Sequence, residues 1–206
     1  VNGNQGNGAI DAGAAYVFTR SGSIWSQQAY IKASNSEASD LFGYSVAIAG
    51  EAIVVGAIYE ASGSDGVNGD LNDNSAYGTG AAYVFTRSGN AWAQQAYLKA
   101  SNSESEDYFG LSVAIAEETI VVGAVYESSG SNGIDGDQAD DSEYQAGAAY
   151  VFTRNRGAWI QQAYLKAGDS DRGDYFGVSV AITGETIVVG ASGEDSDSDG
   201  VYGNQA

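Results

Sequence analysis

The eight residues GAAYVFTR stand at 13–20 and return unchanged at 80–87 and 147–154, so the chain is built on an offset of 67 residues. Trp25, Trp92 and Trp159 keep that offset, each followed by a residue and then QQAY. Lys32, Lys99 and Lys166 keep it, as do the pairs Phe42-Gly43, Phe109-Gly110 and Phe176-Gly177. A fixed period this long marks a repeat architecture in which each copy is one supersecondary unit.

Each unit reads as four strands. FGYSVAI (42–48), AIVVGAI (52–58), AAYVFTR (14–20) and IWSQQAYIK (24–32) are rich in Val, Ile, Tyr, Phe and Trp, with Gly, Ser, Asn and Asp between them. No helical period appears. AIVVGAI is apolar on both alternating faces and AAYVFT nearly so, which implies cover on both sides. IWSQQAYIK carries Ser26, Gln28 and Lys32 on its second face, as an outer strand does. In FGYSVAI the bulky Phe42, Tyr44, Val46 and Ile48 oppose the small Gly43, Ser45 and Ala47, a grading that lets wedge-shaped sheets approach near an axis. A β-sandwich would alternate apolar and polar residues cleanly. The pattern therefore predicts an all-β chain of antiparallel four-stranded blades of β-propeller type.

Chain order then divides the sequence into one repeat domain of 206 residues: an outer half blade with its linker at 1–41, whole blades at 42–108 and 109–175, and an inner half blade at 176–206. Two half blades at opposite ends are complementary. The segment 13–32 of one copy is expected to pair with 176–191 of another, giving a head-to-tail homo-oligomer, ring or filament. Covalent continuation in a longer array would make the same contacts. The chain has no Met, so the sequence is expected to be a processed product or a piece of something longer.

Composition narrows the function classes. With no His and no Cys, the commonest general base and every thiol nucleophile or thiolate metal ligand are missing. No pair of carboxylates is set apart from its repeat equivalents as a glycosidase would require, so no enzymatic activity is expected. Net charge −19 disfavours nucleic acid and anionic membranes as partners, and no apolar run suits membrane insertion. An acidic chain favours cations, or solubility alone.

The run Phe-Gly, alternating strand, VVGA resembles the FG-GAP repeat of integrin α-subunit propellers and of secreted bacterial proteins. The resemblance spans the chain in three copies. The usual Pro is replaced by Ile58, Val125 and Ser192. The resemblance implies propeller blades, an extracellular or cell-surface location, frequent calcium binding, and adhesion or ligand recognition.

For calcium, the best local pattern is Asp195-Ser-Asp197-Ser-Asp199-Gly200, where carboxylates at alternate positions converge on one side of a tight loop. Equivalent loops offer Asp65 and Asp70 around Gly66, and Asn132 and Asp137 around Gly133, with Asp73, Asp135, Asp140 and Asp141 nearby. These join the second and third strands. The hairpin that holds calcium in integrin-type repeats is here only Ala49-Gly50-Glu51, too short to wrap an ion. The alternative is a solvated loop of turn-forming residues. Asp40, Asp107 and Asp174, in register before each Phe-Gly, suit hydrogen bonding to backbone N–H groups of the entering turn. The three Trp recur inside the strand pattern, which favours packing over a sugar-stacking platform. Six of the eight basic residues hold the register and are expected to pair with nearby carboxylates. The expectation is a non-enzymatic structural or adhesive module that assembles with itself. The alternative is a lectin-like or protein-binding propeller that meets an extracellular protein or glycan through its loops.

Overall fold

The computed structural model describes residues 8–197 and Gly200. These residues form β-strands and no helix. The first sheet pairs β1 (Ala15–Ser21) with β2 (Ile24–Ile31). The second runs in chain order: β3 (Val46–Ala49), β4 (Ala52–Ala57), β5 (Ala81–Ser88), β6 (Ala91–Leu98). The third does the same with β7 (Phe109–Ala116), β8 (Thr119–Ala124), β9 (Ala148–Asn155) and β10 (Ala158–Leu165). The last pairs β11 (Phe176–Thr183) with β12 (Thr186–Ala191). Every pairing is antiparallel. The sheets stand in tandem and do not close on themselves.

Tight turns set the registers. Ala49 pairs with Ala52 and Ser21 with Ile24, leaving two-residue loops that begin at Gly50 and Gly22, with φ of 53° and 60°. Such loops match the twist of the strands they join. The outer hairpins share a bulge, between Val17 and Phe18 in the first sheet and Val84 and Phe85 in the second.

The central strands are covered on both faces by different neighbours. Ile53, Val55, Tyr83 and Phe85 pack with Val17, Ile31 and Phe42 toward the first sheet. Val54, Val84 and Leu98 point the other way and pack with Phe109, Ile120, Tyr150 and Trp159 of the third. Each fully buried aliphatic or aromatic side chain contributes about 1.5–3 kcal/mol relative to exposure.

Blades touch backbone to backbone where the sequence is smallest. A Cβ on Gly56 would lie 2.0 Å from the Gly110 carbonyl oxygen, and one on Gly123 would lie 2.0 Å from that of Gly177. Ser45 Oγ donates to the Gly110 carbonyl and Ser112 Oγ to that of Gly177, each at 2.7 Å. This is the physical content of the repeated FGxS and VVGA strings. Parallel bridges Gly13–Phe42, Gly80–Phe109 and Gly147–Phe176 add a stitch at each blade boundary.

One strand is shorter than its sequence suggests. FGYSVAI forms a strand only from Val46, whereas β7 and β11 start at their Phe. The chain still bonds to β4 there, Gly43 N–H to the Gly56 carbonyl and Gly56 N–H to the Ser45 carbonyl. In β7 and β11 the same stretch is continuous strand with a register shift, between Phe109 and Ser112 and between Phe176 and Ser179.

Candidate functional site

Inside a complete blade the inner strand pair meets the outer pair along β4–β5 or β8–β9. Ile53 stands opposite Phe85 and Val55 opposite Tyr83; Ile120 stands opposite Phe152 and Val122 opposite Tyr150. A buried ion pair ties the same halves. Glu60 follows β4 and Lys99 follows β6, and Lys99 Nζ lies 3.2 Å from Glu60 Oε2 with both side chains out of solvent. Lys99 also donates to Thr79 Oγ1 and to the Gly80 carbonyl. Glu127 and Lys166 repeat the pair at 3.0 Å. Burial pulls the Lys99 ammonium below its ordinary pKa, and the Glu60 carboxylate pulls it back.

The linker before each blade completes the network. Asn35 Nδ2 donates to Glu60 Oε1 at 3.2 Å, and Tyr83 Oη donates to Asn35 Oδ1 at 2.8 Å. Asn102 bridges Glu127 and Tyr150 in the same way, at 3.2 and 2.6 Å. Sequence reasoning placed the lysines but missed their partners. The available signal was register, because Glu60, Glu127 and Glu194 keep the 67-residue offset as the lysines do.

The two-stranded sheets carry the same halves unjoined. Tyr16 and Phe18 on β1 are 52% and 55% exposed, while Tyr83, Phe85, Tyr150 and Phe152 are buried. Trp25 is 64% exposed, while Trp92 and Trp159 are buried and donate from Nε1 to Gln28 and Gln95 of the preceding outer strand. On the other half Val188 is 64% exposed against none for Val54 and Val121. Beside β1 lies an apolar hollow of about 540 Å³, lined by Tyr16, Phe18, Ile31, Val46, Ile48 and Ile53 among others.

The acidic loops do different work. Gly66 to Asn68 lie along the outer edge of β6, with Asn68 N–H donating to the Tyr97 carbonyl and Asn68 Oδ1 accepting from Tyr97 N–H. Asp135 does the same for Tyr164 on β10. The loops thus cover sheet edges that would otherwise invite stray pairing. Asp65 accepts from Ser103 N–H and Asn132 from Ser170 N–H, both at 2.8 Å. Asp70 accepts from Asn72 N–H and Asp137 from Ala139 N–H, closing local turns. These oxygens face backbone donors rather than one another. Asp195 and Asp197 are exposed and make no hydrogen bond among the described residues, and Asp199 lies outside them. Among the described residues no group of three acidic side chains converges to hold a metal ion.

Asp40, Asp107 and Asp174 accept from the N–H of Glu37, Glu104 and Asp171 at 2.8, 3.1 and 2.8 Å, tying the turn before each inner strand. Burial pushes the Asp107 carboxyl up to about 8. At the inner hairpin tips Arg87 pairs with Glu51 and Arg154 with Glu118. A file of tyrosine rings crosses the loop side, Tyr77–Tyr59–Tyr108–Tyr126–Tyr175, with neighbouring centroids 5.6, 5.3, 5.0 and 5.8 Å apart.

Four-stranded antiparallel blades in tandem, joined through Phe-Gly and Gly-Ala close approaches, define a repeat protein of propeller type. The family model for the FG-GAP repeat matches residues 25–85, 92–152 and 159–203, more than half of the chain, and the chain belongs to the FG-GAP repeat family. Repeats of this family are generally non-enzymatic and commonly extracellular or on the cell surface. No curated protein matches the chain.

Proposed function

We propose that the protein is an extracellular structural or adhesive module that assembles head to tail with further copies of itself, β12 of one copy pairing with β1 of the next. The observation that carries this reading is the mismatch between the two open half sheets and the two complete blades. Tyr16, Phe18 and Val188 are exposed where their equivalents at β4–β5 and β8–β9 are buried, and each open edge has the sequence of the other's internal partner. By the internal register, Ile187 meets Phe18 and Val189 meets Tyr16, and β11–β12 fills the hollow beside Val46 and Ile48. Antiparallel pairing and apolar cover then act together, as they do within a blade. Sedimentation of the 206-residue chain tests this: particles larger than one chain at micromolar concentration support it, and a stable monomer refutes it.

Calcium belongs to this proposal only at the third loop, whose Asp195 and Asp197 carboxylates accept no hydrogen bond among the described residues. Its test is thermal melting of metal-stripped protein against added calcium and, at matched ionic strength, magnesium. A rise in Tm specific to calcium that disappears in Asp195→Asn supports a site there, and equal effects of the two ions leave only charge screening.

A second reading, recognition of an extracellular protein or glycan, rests on the tyrosine file of the loop side, whose planar rings suit stacking on a sugar face. A glycan-binding screen of wild type against Tyr77→Ala tests it. Binding that the substitution abolishes supports the reading, and no binding removes it.

A further inference from the structure

Each complete blade fastens its inner half to its outer half with one buried ion pair, and the open half sheets carry the separated members of a third. Glu194 follows β12 as Glu60 follows β4. Ser196 N–H donates to Glu194 Oε1 at 2.9 Å, as Ser62 N–H donates to Glu60 Oε2 at 3.2 Å. Lys32 follows β2 as Lys99 follows β6, and gives a hydrogen bond to the Gly13 carbonyl as Lys99 does to that of Gly80. Neither Lys32 nor Glu194 has an ion-pair partner among the described residues. Lys32 already stands partly out of water, and that burial lowers its pKa, opposed by the charge of Asp40.

We infer that Glu194 of one copy and Lys32 of the next form a buried ion pair that locks the junction between copies and selects this chain as its own partner. The inference rests on the head-to-tail pairing proposed above. Its logic is selectivity rather than raw affinity. Any other strand edge added to β1 would bury Lys32 without the paired carboxylate that Glu60 gives Lys99, and a buried charge lacking its ion-pair partner is costly. A second copy supplies the carboxylate at the matching position. A surface pair follows at the hairpin tip, where Glu185 and Arg20 occupy the places of Glu51 and Arg87.

One position differs from the internal joints. Asp169 stands where Asn35 and Asn102 donate to the paired glutamate. A carboxylate there accepts from Tyr16 but has no proton to give Glu194. The junction therefore places two carboxylates around one ammonium and is weaker than the joint inside a blade, which suits a contact that forms and parts.

The test is sedimentation of the full 206-residue chain and its charge-reversed variants. Glu194→Lys and Lys32→Glu, each alone, are expected to weaken association at least about thirtyfold. An equimolar mixture of the two is expected to associate again, because each then presents the charge the other lacks. Asp169→Asn is expected to tighten association. Glu194 is exposed and Lys32 only half-buried in the single chain, and unchanged circular dichroism of each variant shows that folding is retained. If wild type associates but the single variants associate equally well, or their mixture does no better than either alone, the ion pair is overturned while the pairing stands. If wild type remains a monomer, the pairing itself has failed.

Discussion

Phe109 opens an inner strand, is fully buried, and meets Tyr150 and Phe152 edge to face at 5.4 and 6.0 Å. Phe109→Ala removes the ring from the boundary between two sheets, and neighbours held by backbone contacts at Gly80 and Gly110 have little room to collapse. The expected loss is about 3–5 kcal/mol in a denaturant titration, and a loss below about 1 kcal/mol would contradict the packing described. Asp107 gives a pH signature. Its carboxyl is pushed up to about 8 by burial, while in the unfolded chain it titrates near 3.8. Between these values the folded protein keeps a proton that the unfolded chain gives up, so the stabilising contribution is complete below about 4 and is lost as pH rises through about 8. Asp40 and Asp174 are shifted upward too, with burial as the first cause. Melting between pH 5 and 8 is expected to show Tm falling with pH in wild type and falling less in Asp107→Asn, which keeps the oxygen that accepts from Glu104. Equal slopes would show that Asp107 ionises normally in the fold.

Within one blade the strands and the polar joint make separable contributions. Glu60→Gln leaves Lys99 buried without its counter-charge, and the expected destabilisation is about 3–5 kcal/mol by chemical denaturation. Glu51→Gln removes an ion pair from a solvent-exposed hairpin tip, and no measurable change is expected. Comparable effects of the two would mean that the blade halves are not held by the buried pair. The four strands and their order were legible in the sequence because apolar content falls from the covered strands to the outer one. The Glu60–Lys99 joint was not. Its acid sits among acidic turn residues at the start of a loop, and only the fold shows that Glu60 turns inward to Lys99 while Asp70 is exposed and Asp73 ties the loop by accepting from Gly63 and Ser75 N–H. The acidic loops were ambiguous for a related reason. Alternating Asp and Gly is what a metal loop needs and also what edge-covering turns need, and Asp65, Asp70, Asn132 and Asp137 accept from backbone N–H groups.

For the whole molecule the decisive quantity is net charge −19, carried by every copy that would join an assembly. Two such chains repel at long range, and that repulsion is screened within about 8 Å at 0.15 M ionic strength. The junction proposed between β12 and β1 is mostly apolar and backbone contact; of its two ion pairs, Glu194–Lys32 is buried, and buried pairs are screened much less. Raising sodium chloride from about 10 to 150 mM should therefore strengthen association, because it removes the general repulsion while leaving the local attraction nearly intact. A contact held by exposed ion pairs would respond in the opposite sense and weaken with salt. Sedimentation at fixed protein concentration across that salt range separates the two. An associated fraction that grows with salt fits strand pairing at the open half sheets. A fraction that shrinks would show that exposed charges, rather than the apolar pairing of β1 with β12, hold the copies together.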